Sequence, residues 1–163
     1  MKGTSYARLF YFFLVSGIFL SCDKEDKPEE KSVTGNFVYV TTNFVPIEVD
    51  PVTQIPMSAN ISMTGTGDVT ELGNMAFATT FKFDFVTGKG TDFVTTYTGV
   101  NPSDGYNSTG TSQRQSDGSI TITESFSNGK GRFANIKGGG ETIVNINADQ
   151  SGGTGSVSWK VTY

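Results

Sequence analysis

Between Met75 and Phe85 the chain alternates with a period of two. Met75, Phe77, Thr79, Phe81, Phe83 and Phe85 share one face; Ala76, Ala78, Thr80, Lys82 and Asp84 share the other. A period of two belongs to a strand, because successive side chains point to opposite sides of a sheet. A face this aromatic must be buried, and the opposite face is polar enough to stay wet. One buried face and one wet face are the mark of an antiparallel sheet that closes on itself or packs on a second sheet.

The rest of the chain from Val33 onward reads in the same way. Thr34 to Val45 places Phe37, Tyr39 and Thr41 on one side and Val38, Val40 and Thr42 on the other. Met57 to Thr64 places Met57, Ala59, Ile61 and Met63 inward and Ser58, Asn60, Ser62 and Thr64 outward. Further strands are expected at Phe93 to Thr98, Ser119 to Phe126, Glu141 to Ala148 and Ser156 to Tyr163. In the last of these Val157, Trp159 and Val161 share a face with Tyr163, and Trp159 is expected in the core. Pro46 to Pro56, with three prolines, reads as a loop or irregular edge. Gly65-Thr66-Gly67 is expected to end or kink its strand. Thr87 to Gly90, Asp117-Gly118 and Ser151 to Gly155 read as turns. The polar run Asn101 to Asp117 reads as a long loop with a short strand near Tyr106 to Gln113. About eight strands in roughly 130 residues suit a small antiparallel barrel or sandwich, and closure removes exposed sheet edges.

Composition closes off several chemistries. Histidine is absent and cysteine occurs once, so no histidine base, His-ligated metal, Cys-His pair or internal disulfide can form. No cofactor and no metal is expected. The acidic balance and the lack of a basic stripe argue against a nucleic-acid partner.

The front of the chain reads as an export signal, residues 1–21. Lys2 and Arg8 precede an apolar run from Leu9 to Leu20, about the length of a signal-peptide core and short for a membrane span. It ends in Phe19-Leu20-Ser21-Cys22, which resembles the lipobox of bacterial lipoproteins, with Phe19 where Leu is usual. The resemblance implies cleavage before Cys22 and lipidation of that cysteine by acyl groups such as palmitate. The other reading is an ordinary signal peptide that leaves Cys22 free. Each buried CH₂ of a lipid contributes about 0.8 kcal/mol, so several chains anchor the protein to a membrane. Removing residues 1–21 takes Lys2 and Arg8 and leaves 10 basic against 16 acidic side chains, a net charge of −6. Residues 22–32, almost wholly charged from Asp23 to Lys31, read as a flexible tether. The tether resembles the charged export signal of Gram-negative bacteria that display lipoproteins on the cell surface. Outer-membrane attachment facing the surface is therefore the expected location, with a periplasm-facing orientation as the alternative.

Two glycine-rich segments carry a further resemblance. Gly65-Thr66-Gly67-Asp68-Val69-Thr70-Glu71-Leu72-Gly73 is one. Gly129-Lys130-Gly131-Arg132-Phe133-Ala134-Asn135-Ile136-Lys137-Gly138 is the other. With the aromatic strand that follows the first, they resemble the allene oxide cyclase-like and dirigent-like β-barrels, including small secreted bacterial members. The first matches a Gly-x-Gly, Thr-His-Leu-Gly pattern with Glu71 in the His position. The second matches Gly-Thr-Gly-Arg-Phe-x-x-Ala-x-Gly, with Lys130 and Ile136 as departures. The resemblance spans most of residues 33–163. It implies a single closed, calycin-like barrel of about eight antiparallel strands, with Gly65, Gly67, Leu72, Gly73, Gly129, Gly131, Phe133 and Gly138 as structural positions. Plant members act on an unstable fatty-acid epoxide inside the barrel, and dirigent proteins guide radical coupling. No catalytic residue of either maps onto this chain.

Candidate site residues remain few. Glu124 falls on the apolar side of its strand with Ile120, Ile122 and Phe126. It is either an inward carboxylate that acts as a base or an exposed residue at a bulge. Tyr39, Tyr97, Tyr106 and Trp159 either line a sugar or lipid pocket or pack the core. Asp68 and Glu71 frame one end of the barrel as turn residues or as part of a calcium site, although calcium wants six to eight oxygens. Lys130, Arg132 and Lys137 read as solvated, and Gly129-x-Gly131 lacks the helix a phosphate loop needs. Two functions follow. One is a non-enzymatic lipoprotein barrel that binds a small apolar ligand, a glycan or an envelope protein. The other is an isomerase or cyclase working inside the barrel. A barrel filled by Phe77, Phe81, Phe83 and Trp159 favours the first, and an open cavity reached by Glu124 or a tyrosine favours the second.

Overall fold

The computed structural model describes residues 28–163. Cys22, the export signal and most of the expected tether lie outside the described residues. The described chain is all-β: β1 (Lys31–Val49), β2 (Pro56–Val69), β3 (Gly73–Asp84), β4 (Lys89–Gly99), β5 (Gly105–Arg114), β6 (Ile120–Lys130), β7 (Lys137–Ile146) and β8 (Gly152–Thr162). A single 3₁₀ turn, Gly131–Phe133, lies between β6 and β7. Each strand pairs antiparallel with the next, and β8 returns to β1 to close an eight-stranded barrel. The closing seam runs in register from Lys31 opposite Val161 to Val40 opposite Gly152.

Inward faces are mainly apolar and outward faces mainly polar, although Val38 and Val40 are exposed on the outside of β1. On β6 Ile120, Ile122, Glu124 and Phe126 are buried while Thr123 and Ser125 are exposed. This is the reverse of a membrane-spanning barrel, whose outer band is apolar. Among the described residues no helix is long and apolar enough to cross a membrane.

The meander sets two unlike ends. β1 starts at one end, where the β2–β3, β4–β5 and β6–β7 connections also lie. That end is plugged. Leu72, Phe133 and Ile136 are buried there beside Val33, Val69 and Val161. Arg132 holds the plug in place: its backbone N–H donates to Asp104 Oδ1 at 3.1 Å, and its guanidinium lies 3.5 Å from Asp104 Oδ2. The same guanidinium donates to the Leu72 carbonyl and covers the Phe133 ring at 4.4 Å. Arg132, half exposed as expected, is also a latch across three connections. Gly131 is needed beside it. Its φ is +60°, and a Cβ there would run into Asp104 and the Ser103 carbonyl.

Several elements differ from the expected boundaries. Within Asn101 to Asp117 the short strand expected near Tyr106 to Gln113 is β5, Gly105–Arg114, which leaves no long loop; Tyr106, Ser108 and Ser112 turn inward on it. Pro46 lies inside β1, opposite Ala59. It is tolerated because pairing with β8 has ended by Val40, so the missing N–H faces an open edge. Beyond that point β1 pairs with β2 alone, and Val52 and Ile55 in the loop that joins them are exposed. Gly65-Thr66-Gly67 does not end β2, which runs on to Val69. Gly65 lies under the Phe77 ring, where a Cβ has no space. Gly152 to Gly155 belongs to β8, not to a turn, since Phe37 occupies the space over Gly155. β7 starts at Lys137, so the last glycine cluster is strand. Of the expected inward set on β2, Met57 is exposed and Ser58 is buried instead.

A Gly131→Ala variant should lose about 1–3 kcal/mol of stability, the usual cost of a side chain held in a left-handed conformation. Urea unfolding followed by Trp159 fluorescence measures it. An unchanged midpoint would show that the plug does not depend on this backbone.

Candidate functional site

Inward residues of the middle levels build a polar network in an otherwise apolar barrel. Glu124 faces in and is only 5% exposed. The reading of it as an exposed residue at a bulge is therefore corrected: Glu124 pairs in continuous register with Gly110 on β5 and Gly140 on β7. Its Oε2 accepts from the Tyr97 hydroxyl at 2.9 Å and from the Ser108 hydroxyl at 2.5 Å. Its Oε1 accepts from the Thr142 hydroxyl at 2.5 Å, and the Trp159 indole N–H donates to Thr142 at 3.1 Å. No cation pairs with Glu124 among the described residues. Neutral hydroxyl donors satisfy it instead, which is what a buried acceptor requires.

Aromatic rings pack around this network. Tyr97 stacks on Tyr106 with centroids 4.7 Å apart, and Trp159 meets Tyr97 and Phe126 edge-on at 5.6 Å and 4.9 Å. Burial first, then the neighbouring Glu124 charge, holds the Tyr97 phenol well above its ordinary range. The same causes in the same order raise Tyr106, and burial alone raises Tyr39.

The space beside Glu124 is small. A chamber of about 40 Å³ lies among Phe77, Thr79, Thr95, Tyr97, Glu124 and Thr142. That is room for little more than a water molecule. Thr79 and Thr95 close one wall by sharing a hydrogen bond at 3.0 Å.

The open end is different. A cup of about 270 Å³ lies in the mouth, with Tyr39, Phe81, Phe83, Phe93, Ile122 and Val144 among its lining residues. Phe81 and Phe93 lie face to face at 4.3 Å, and Phe83 stands edge-on to Phe81 at 6.4 Å. The β1–β2, β3–β4, β5–β6 and β7–β8 connections surround it. Wider hollows on the outer wall, such as the one along Val38, Thr66 and Ala76, carry no comparable ring of aromatic side chains.

Glu124, Tyr97 and Trp159 thus meet in one network, and Tyr39 stands apart from it in the mouth. Asp68 and Glu71 do not assemble a metal site: Glu71 pairs with Lys31 at 3.3 Å, and no group of three or more potential metal ligands occurs among the described residues. Ser108, Thr142, Thr79 and Thr95 were not singled out from the sequence. The alternation of Tyr106, Ser108, Gly110 and Ser112 held the signal for the first of them. Arg114 on the cup wall left no sequence signal.

Comparison with protein-family models, curated proteins and solved structures finds no match to the chain.

Two outcomes are expected from this geometry. Tyr97→Phe removes one hydroxyl donor from the buried Glu124 and should cost about 1–3 kcal/mol in urea unfolding; no loss would show that the network is not stabilising. The raised phenols also set a pH dependence. Their protonated form is favoured in the fold, so their contribution is intact below about pH 10, the ordinary phenol value, and falls as pH rises above it. The tyrosinate absorbance of the folded protein should lag that of the urea-unfolded chain above pH 10, and superposed curves would contradict the burial of these side chains.

Proposed function

We propose that this chain is a bacterial envelope lipoprotein whose barrel is a non-enzymatic binding module, taking a small apolar ligand in its open mouth. The observation that carries the binding reading is the aromatic cup, open at one end of a barrel packed shut below it. Of a small apolar ligand, a glycan and an envelope protein, the apolar ligand fits walls made chiefly of phenylalanine, isoleucine and valine. Lipidation of Cys22, attachment to the outer membrane and display at the cell surface belong to the same proposal and rest on the lipobox-like segment and the charged residues after it. Kinship with the allene oxide cyclase-like and dirigent-like barrels is also part of it. Its support is the way the motif residues serve closure: Gly65 lies under Phe77, and Phe133 and Leu72 fill the plugged end.

An isomerase or cyclase is the second reading, and the inward-facing Glu124 favours it. The chamber at that carboxylate is too small for a substrate, and every hydrogen bond found on the carboxylate comes from the barrel itself. The binding reading is therefore preferred.

The neutral fluorophore N-phenyl-1-naphthylamine should bind the protein one to one. Ile120→Trp, which fills the cup, should abolish that binding, and Glu124→Gln should leave it within about twofold. The opposite pattern would place the ligand inside the barrel and favour the enzyme. For the anchor, Cys22→Ala should release the protein from the membrane fraction and remove the acyl mass; an unchanged fraction and mass would sink the lipoprotein assignment.

A further inference from the structure

The cup has one charged wall. Among its lining residues only Arg114 carries a charge. The Arg114 backbone is fixed where β5 ends, its N–H donating to the Gly88 carbonyl at 2.8 Å. Its guanidinium stands over the Phe83 ring at 5.7 Å, so it is aimed along the aromatic wall. No acidic group among the described residues lies within ion-pair distance of it. An arginine so placed offers planar donors to an acid group whose apolar body lies in the cup.

The rim around the cup is acidic. Each of its four loops carries one aspartate whose Oδ1 accepts backbone N–H groups of its own turn: Asp50, Asp84, Asp117 and Asp149. None of the four lines the cup. Their exposed charges act through solvent and disfavour a ligand with several negative charges, whereas a single acid group in contact with Arg114 is matched one to one. Size narrows the ligand further. At about 270 Å³ the cup falls just below the roughly 300–1,000 Å³ of ordinary ligand pockets, and packed side chains lie beneath it. Stacked and edge-on phenylalanines favour a ring over a long flexible chain.

We propose that the mouth binds a compact, ring-bearing apolar monoanion, its acid group on Arg114 and its ring among Phe81, Phe83 and Phe93. This rests on the reading of the mouth as the ligand site. The mouth lies at the end opposite to where β1 begins.

The test compares two probes with the same rings on the full chain. 8-Anilinonaphthalene-1-sulfonate carries one negative charge, and N-phenyl-1-naphthylamine carries none. The wild type should bind both one to one. Arg114→Met should weaken the anion by about tenfold, the effect of losing one charge-assisted hydrogen bond, and change the neutral probe by less than about twofold. Arg114→Lys should recover part of the loss, and Arg114→Gln stands in if the methionine variant does not fold. Equal weakening of both probes, or none of the anion, would overturn the role of Arg114 while the mouth remained a ligand site. Failure of both probes to bind the wild type would overturn the ligand site itself, and this proposal with it.

Discussion

An eight-stranded barrel encloses space for about one ring of inward side chains at each level. Whatever occupies a level decides whether that level is wall, plug or pocket. Here the plugged end is filled by side chains from the connections as well as the strands, with Leu72 and Phe133 fully buried. The Arg132 latch fixes them, because one guanidinium reaches Asp104, the Leu72 carbonyl and the Phe133 ring together. Toward the mouth the connections bury no side chain, although Gly118, Asn147, Ala148 and Gln150 reach the edge of the cup. The last inward rings then have no partners above them, and the cup is what remains.

Glu124 sets the boundary between these regimes. A carboxylate taken out of water costs several kcal/mol unless it is well bonded. The bonds that satisfy it come from Tyr97 on β4, Ser108 on β5 and Thr142 on β7, and Trp159 on β8 secures Thr142. One acceptor on β6 thereby ties together five consecutive strands. Such a network specifies register, since a slip of one residue on any of these strands turns its donor to solvent. The same arrangement leaves the carboxylate little freedom for chemistry on a bound molecule.

Much of the barrel was legible in the sequence wherever burial needed large side chains. The alternation from Met75 to Asp84 survives as the inward and outward faces of β3, and β6 shows Glu124 among its apolar neighbours as the spacing indicated. What could not be read is what the barrel makes small. β5 reads as a short strand in a polar run because, after Tyr106, its inward positions hold Ser108, Gly110 and Ser112 opposite Phe126, Phe93 and Ile122, too small and polar to register as a core face. The glycines of early β8 looked like a turn for the same reason: Tyr39 crowds Gly152 and Gly153, and Phe37 fills the space over Gly155. The mouth was illegible as a site, because Tyr39, Phe81, Phe93 and Arg114 lie on different strands and only closure brings them together. Long-range closure also explains why Pro46 misled: nothing local marks an edge that begins where β8 stops.

Phasing on a heavy atom locates the ligand site without relying on any variant. Crystals of the protein soaked with 1-bromonaphthalene should show a bromine anomalous peak inside the cup, between Phe93 and Ile122. A peak in the chamber beside Glu124, or peaks confined to the outer wall with the cup unoccupied, would contradict the account.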